Sequence, residues 1–287
     1  MSVTSIGKFE ILGTLGTGAH STILHIRRAE DGKQYALKVV SLDGPEDQKF
    51  LDQAEHELQV ASLLGHPNLV KVHCLEKVKN WFFQVKKAHL LIEHVNGKTL
   101  DQVPRLTLPR LAQVLRQAAD GVVHMHRRQV CHGDLKPNNV MLSKAGEVKI
   151  LDFGLARIRG KGTGRVQGTP EYMAPEQAKH QMINERTDIY NFGAMMYRLA
   201  SWKLPVPCVS EEDGNIPLDI KMWARVFKPV EEANPRLPPE LAALINQCLQ
   251  FDANKRPERM SEVQGTLDRL ADDLVKKPED GLEGMEW

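Results

Sequence analysis

Short runs of alternating apolar and polar residues occupy the first forty positions. Phe9 to Leu15, Thr22 to Arg27 and Gln34 to Val40 read as strands, and Asp31-Gly32 is a hairpin turn signal. The period changes at about Gln48 to Leu64. There Phe50, Ala54, Leu58 and Ala61 recur at helical spacing, and Gly65 with Pro67 makes a stop. Leu69 to His73, Trp81 to Val85 and His89 to Val95 are again strand-like. From Pro109 the pattern turns helical, with Leu111, Leu115, Ala118, Val122 and Met125 on one face. Two short strands are predicted at Val140 to Leu142 and Val148 to Leu151. Helices are predicted at Asp188 to Ala200, Glu240 to Gln250 and Ser261 to Leu274. The pattern predicts an α+β chain: a small β-rich lobe over residues 1–95 with one major helix, a larger mainly helical lobe over 96–275, and an acidic tail over 276–287.

Composition narrows the class. The chain has 287 residues, 41% hydrophobic and 26% charged, with enough apolar material for a sizeable core. A formal net charge of +1 offers no broad basic field, so no nucleic-acid partner is expected. No apolar run reaches the roughly 20 residues that span a bilayer, and Met1 to Lys8 lacks the apolar core of a signal peptide. The four cysteines are scattered without a Cys-x-x-Cys pair, which fits reduced thiols in the cytoplasm. Oligomeric state is not legible.

Several polar groups sit where packing alone does not ask for them. Leu15-Gly16-Thr17-Gly18-Ala19-His20-Ser21 joins two predicted strands, and its small residues let backbone N–H groups approach phosphates; an ordinary hairpin has the same look. Lys38 alternates to the same side as Ala36 and Val40, so its ammonium wants a partner. Glu57, on the apolar stripe of the first helix, is the obvious one, whereas Glu55 lies off that stripe. His132-Gly133-Asp134-Leu135-Lys136-Pro137-Asn138-Asn139 brings three abilities into six residues. Asp134 can accept a proton, Lys136 can neutralise a phosphoryl group, and Asn139 offers a neutral oxygen ligand. Asp152-Phe153-Gly154 places a carboxylate after a predicted strand, where it could hold a metal.

In order, spacing and context these segments resemble the eukaryotic-type (Hanks-type) protein serine/threonine kinases over about residues 9 to 270. Ala174-Pro175-Glu176, Asp188 with Gly193, and Arg256 complete the likeness. The resemblance implies the bilobal kinase fold, with an antiparallel sheet in the small lobe, and transfer of the ATP γ-phosphoryl group to Ser/Thr hydroxyls of protein substrates. It assigns Asp134, Lys136, Lys38, Glu57 and Thr169 to catalysis. Gly16, Gly18, Ser21, Ile23, Ala36, Lys38, Ile92, Glu93, Val95, Leu142 and Asp152 would bind the nucleotide: Ile92 as gatekeeper, Glu93 to Val95 as the adenine-binding hinge, and Ile23, Ala36 and Leu142 around the ring. Asn139 and Asp152 would hold Mg²⁺, with Mn²⁺ as the other candidate. Glu176 and Arg256 would form a buried structural pair. Thr169, within Gly168 to Glu176, would bond Asp134 and Lys136 and favour short hydroxyl side chains.

Three positions depart from the family pattern. Ser21 replaces the third loop glycine and accepts positive φ less easily, so ATP binding is expected to be weakened modestly and not abolished. Gly133 stands where many members carry an arginine that anchors a phosphorylated activation loop, so activity is expected not to depend strongly on phosphorylation there, with Thr163 the foremost candidate position. Tyr190 replaces a tryptophan, with only a packing difference expected. A kinase-like scaffold and a small-molecule phosphotransferase are the competing readings. The first is disfavoured by five intact catalytic positions, the second by the Gly168 to Glu176 segment. His124 and His126 are expected at the surface or between lobes. Val263, Leu267, Leu270 and Leu274 are expected to pack the last helix on the large lobe. The Ala174-Pro175-Glu176-Gln177 run resembles bacterial members, in which such a domain often precedes a membrane helix, so a cytoplasmic piece of a longer membrane protein is also consistent.

Overall fold

Six antiparallel strands form the first sheet in the computed structural model, which describes residues 5–18, 20–159, 168–179, 181–210 and 216–276. They are β1 (Ser5–Ile6), β2 (Phe9–Thr17), β3 (Ser21–Arg28), β4 (Gln34–Ser41), β5 (Val72–Lys79) and β6 (Val85–Glu93), in the order β1-β2-β3-β4-β6-β5. Helix α1 (Gln48–Ser62) buries Leu51 and Ala54 against Val40, Leu42 and Ala88, with Phe50, Leu75 and Val85 around them. These elements belong to one compact unit, made of Met1–Gly65, Leu69–Asn96 and Asp152–Gly154.

The second unit comprises His66–Asn68, Gly97–Leu151 and Leu155–Trp287 and is mainly helical. Strand β7 (Gly97–Thr99) leads to α2 (Leu108–Arg127), where Pro109 sits in the first turn and its missing N–H leaves no bond unmade. Leu111, Leu115, Ala118, Val122 and Met125 are all buried along α2. Short strands β8 (Val130–Cys131), β9 (Val140–Ser143), β10 (Val148–Ile150) and β11 (Arg157–Ile158) follow, with β9 between β10 and β7, and β8 paired to β11. Next come α3 (Pro175–Ala178) and α4 (Glu185–Ser201), and the β12 (Val209–Ser210) and β13 (Ile216–Pro217) pair. The chain then runs through α5 (Ile220–Val226), α6 (Val230–Ala233), α7 (Pro239–Cys248) and α8 (Met260–Lys276). Helix α4 is buried on most of its surface, including Ile189, Phe192, Met195 and Met196. A Cβ on its Gly193 would lie 2.6 Å from Cys248 Cβ, so glycine is what lets α4 and α7 approach. Val263, Leu267 and Leu270 of α8 are buried and Leu274 is half-buried, so that stripe is packing surface.

One predicted strand is absent. Trp81 to Val85 is not extended; it is the tip of the β5–β6 hairpin, and only Val85 is in a strand. Asn80 takes the turn. Its Oδ1 accepts the N–H groups of Phe82 and Gln84, each at 3.0 Å, and its main-chain O accepts the N–H of Phe83. High β-propensity of aromatics misleads here, because a local side-chain-to-backbone turn competes with the ladder.

Candidate active site

In the first unit, Lys38 stands in β4, paired with Ile23 of β3 on one side and Leu90 of β6 on the other. Its Nζ lies 2.8 Å from Glu57 Oε2 and 3.8 Å from Asp152 Oδ1. Glu57 is buried on the inward face of α1. Burial works against the Lys38 ammonium, but Glu57 and then Asp152 outweigh it and hold its pKa above the ordinary lysine value. Burial also pushes the Glu57 carboxyl upward, with Lys38 pulling the other way. Asp152 adopts a left-handed φ of 58°, which aspartate tolerates better than most residues, and its Oδ1 accepts the Gly154 N–H at 3.2 Å. Its side chain is 44% exposed, so the carboxylate keeps access to a ligand. Glu55, off the stripe, pairs with Lys77.

The other nucleotide-site candidates of this unit lie on the same sheet or next to its strand ends. Gly16 pairs with Ile23 across β2 and β3, and the Gly18 N–H donates to Ser21 O at 2.7 Å. Ser21 opens β3 and is not among the described residues with positive φ. Ala36 is buried and pairs with Ile92. The Glu93 N–H donates to Lys71 O at 2.8 Å, and Val95 is half-buried just beyond β6. Ala19 and Thr163 lie outside the described residues.

The second unit holds a denser polar cluster. Asp134 Oδ1 accepts the Thr169 N–H at 2.9 Å and the Thr169 hydroxyl at 2.8 Å. Lys136 Nζ lies 2.7 Å from Asp134 Oδ2 and also donates to Thr169 Oγ1. The Asn139 amide donates to Asp134 O at 2.9 Å and to Oδ2 at 3.1 Å, which leaves its carbonyl oxygen as the ligand-capable atom. The structure therefore brings Asp134, Lys136, Asn139 and Thr169 together. Leu142, of β9, lies across from Lys98 and Val148.

A buried frame holds this cluster. Asp188 of α4 is fully buried; it accepts the N–H groups of His132 and Gly133, each at 2.8 Å, and sits 2.8 Å from His126 Nε2. His126 is thus a core residue and not a surface or interlobe one. His126, Cys131 and Asp188 have ligand atoms within 4.8 Å of one another, yet both Asp188 oxygens already serve N–H donors, and burial pushes the Cys131 thiol pKa up. That arrangement braces a loop. Gln177 adds a second brace: its amide donates to Gly133 O at 2.8 Å, and its oxygen accepts from Ala174 N–H and Asn191 Nδ2. Glu176 and Arg256 form a two-point pair at 2.7 and 2.9 Å, and Thr187 also donates to Glu176. Tyr190 does more than pack, since its hydroxyl meets Cys208 Sγ at 2.9 Å and the Arg256 guanidinium lies over its ring.

A lysine–glutamate pair, an Asp–Lys–Thr–Asn cluster and a buried Glu–Arg pair stand on an α+β scaffold of the protein-kinase kind. The protein kinase domain family profile matches residues 9–266, and the chain belongs to that family. It is 30% identical over 278 residues to serine/threonine-protein kinase pkn2 of Myxococcus xanthus, covering 91% of this chain and 32% of the relative. It is 29% identical over 266 residues to serine/threonine-protein kinase PknA of Mycobacterium tuberculosis, covering 90% and 59%. With serine/threonine-protein kinase PrkC of Bacillus subtilis it shares 24% identity over 272 residues, covering 91% and 40%. The chain thus spans 32% to 59% of the length of these relatives.

Proposed function

We propose that this chain is an ATP-dependent protein serine/threonine kinase domain, with Asp134 at the centre of the transfer. The observation that carries the reading is the closed set of bonds around Asp134, in which Thr169, Lys136 and Asn139 all address its carboxylate. Such a carboxylate is held in one orientation and can accept the proton of an attacking hydroxyl. Lys136, 2.7 Å from Asp134, neutralises charge on the transferring group. Thr169 sets the rotamer of Asp134 and crowds the hydroxyl site, which favours serine and threonine.

Lys38 is assigned to the ATP phosphates, with Glu57 holding its ammonium in place. Gly16, Gly18 and Ser21 are assigned to the phosphate loop; Ile23, Ala36 and Leu142 to the adenine ring; Ile92, Glu93 and Val95 to the hinge. The donor chemistry of Asp152 and Asn139, one carboxylate and one amide oxygen, suits a hard divalent cation. Those two residues would hold Mg²⁺, with Mn²⁺ acceptable to the same donors; once bound, it neutralises phosphate charge. We divide the domain at residues 95 and 96, as the small and large lobes, and assign it to the cytoplasm, where ATP is available.

The reading includes independence from activation-loop phosphorylation, supported by Gly133 at the place of an anchoring cation. Thr163→Ala in dephosphorylated enzyme is expected to keep its activity, and a loss would contradict this. The reaction itself is tested with labelled ATP and a mixed Ser/Thr/Tyr peptide set. Label on serine and threonine, absent with Asp134→Asn, supports the proposal; ATP hydrolysis alone or tyrosine labelling contradicts it.

A further inference from the structure

Three consecutive aromatic side chains stand in water at the β5–β6 tip. Trp81 is 91% exposed, Phe82 78% and Phe83 82%, the three most exposed aromatics among the described residues. Together they present apolar area on the order of 500 Å², as large as the greatest patch on an ordinary soluble monomer. The backbone displays them at a local strain. Phe83 takes a φ of 60°, an outlier for a bulky residue, and Asn80 pins the loop through its three acceptor contacts. Neither the proposed phosphoryl transfer nor the core packing uses these rings.

Within the hairpin itself the charge near the tip has one sign. Residues 77–88 contain four lysines and no acidic residue. Lys77 is committed to Glu55, whereas Lys79, Lys86 and Lys87 are exposed at the base of the loop. Lys79 pairs with Val85 and Lys87 with Val78 across the hairpin, so these ammoniums form a collar two to four residues behind the rings. At about 3.3 Å per residue the collar sits roughly 7–13 Å back from the rings.

We propose that this hairpin docks the domain on an anionic phospholipid bilayer. The Trp81, Phe82 and Phe83 rings would enter the boundary between headgroups and acyl chains, where aromatics concentrate, and Lys79, Lys86 and Lys87 would meet headgroup phosphates. The depth order of apolar tip and basic collar matches the layering of that interface. Single-stranded nucleic acid fits less well, because bases stack along a groove or sheet face and this surface is a convex tip. No described helix is long and apolar enough to cross a membrane. Lys38 pairs with Leu90, six residues from Gln84 at the tip, about 20 Å along the strand, so the contact leaves the phosphate-binding lysine untouched.

The test is co-sedimentation of the 287-residue chain with vesicles of phosphatidylcholine alone or with 30% phosphatidylglycerol (about 0.1 M salt). Binding to the anionic vesicles is expected, with little to neutral ones. A triple variant Trp81→Ser, Phe82→Ser, Phe83→Ser and a triple variant Lys79→Glu, Lys86→Glu, Lys87→Glu should each weaken it at least tenfold, with melting temperatures unchanged. Brominated lipids should quench the part of the fluorescence that Trp81→Ser removes. Absent binding, equal binding to neutral vesicles, or binding that survives both variants overturns the proposal. So does an aromatic-dependent dimer, or oligonucleotide binding, found without vesicle binding.

Discussion

Both carboxylate oxygens of Asp134 are committed to named partners, so its reactivity depends on how those groups hold it. Thr169 supplies two of those bonds. Removing a hydrogen bond to a charged group costs about 1.5–3 kcal/mol, so Thr169→Ala is expected to lower kcat about 10- to 100-fold with little change in the KM for ATP. Thr169→Ser should stay within a few-fold, and steady-state kinetics of the pair checks this. Gly133 tells a conformational story at the same scale. Its φ is 75°, and a Cβ there would come 3.2 Å from Ile183 Cδ1. Gly133→Ala is expected to destabilise the fold by about 1–2 kcal/mol, measured by urea unfolding. The Lys38 and Glu57 partnership was legible in sequence because strand alternation and helical period each put a charge on an apolar face. The bracing by Gln177, His126 and Asn191 was not. Nothing in the local pattern marks a glutamine that reaches a loop 44 residues away.

Among elements, the Glu176–Arg256 pair ties the start of α3 to the turn before α8, with the Arg256 side chain fully buried. Arg256→Ala would leave a carboxylate buried without its cation, a loss of about 3–5 kcal/mol. Burial alone would raise the Glu176 pKa, but the Arg256 hydrogen bonds and charge, with help from Thr187, outweigh it and hold the carboxyl below its ordinary 4.5. A depressed folded-state pKa gives stability that is complete above the unfolded value and lost as pH falls through the folded one. The melting temperature should therefore fall as pH drops below about 4.5, and Glu176→Gln should start lower and lack this part of the acid slope. Melting curves between pH 3 and 7 decide it. The long helices and the first sheet were readable from their periods. The β5–β6 tip was misread as a strand because aromatic residues favour sheets in general, while Asn80 builds a turn in this one place.

At the scale of the whole chain, each compact unit carries its own half of the proposed chemistry: Lys38, Glu57 and Asp152 in one, Asp134, Lys136, Asn139 and Thr169 in the other. Fold class followed from strand periods giving way to helical ones, and family membership from motifs whose order a single sequence already displays. The basic, aromatic hairpin belongs to neither account. It was hidden because its lysines and rings are unremarkable until the backbone puts them on one projecting tip. The central claim is that Asp134 drives phosphoryl transfer to protein hydroxyls. The most direct measurement is the initial rate of label transfer from γ-labelled ATP to a serine/threonine protein substrate, for the unaltered chain and for Asp134→Asn at equal folded concentration. The account predicts that the variant is slower by about 10²- to 10⁴-fold while still binding ATP. Transfer by Asp134→Asn at the unaltered rate, or no transfer by the unaltered chain, would contradict it.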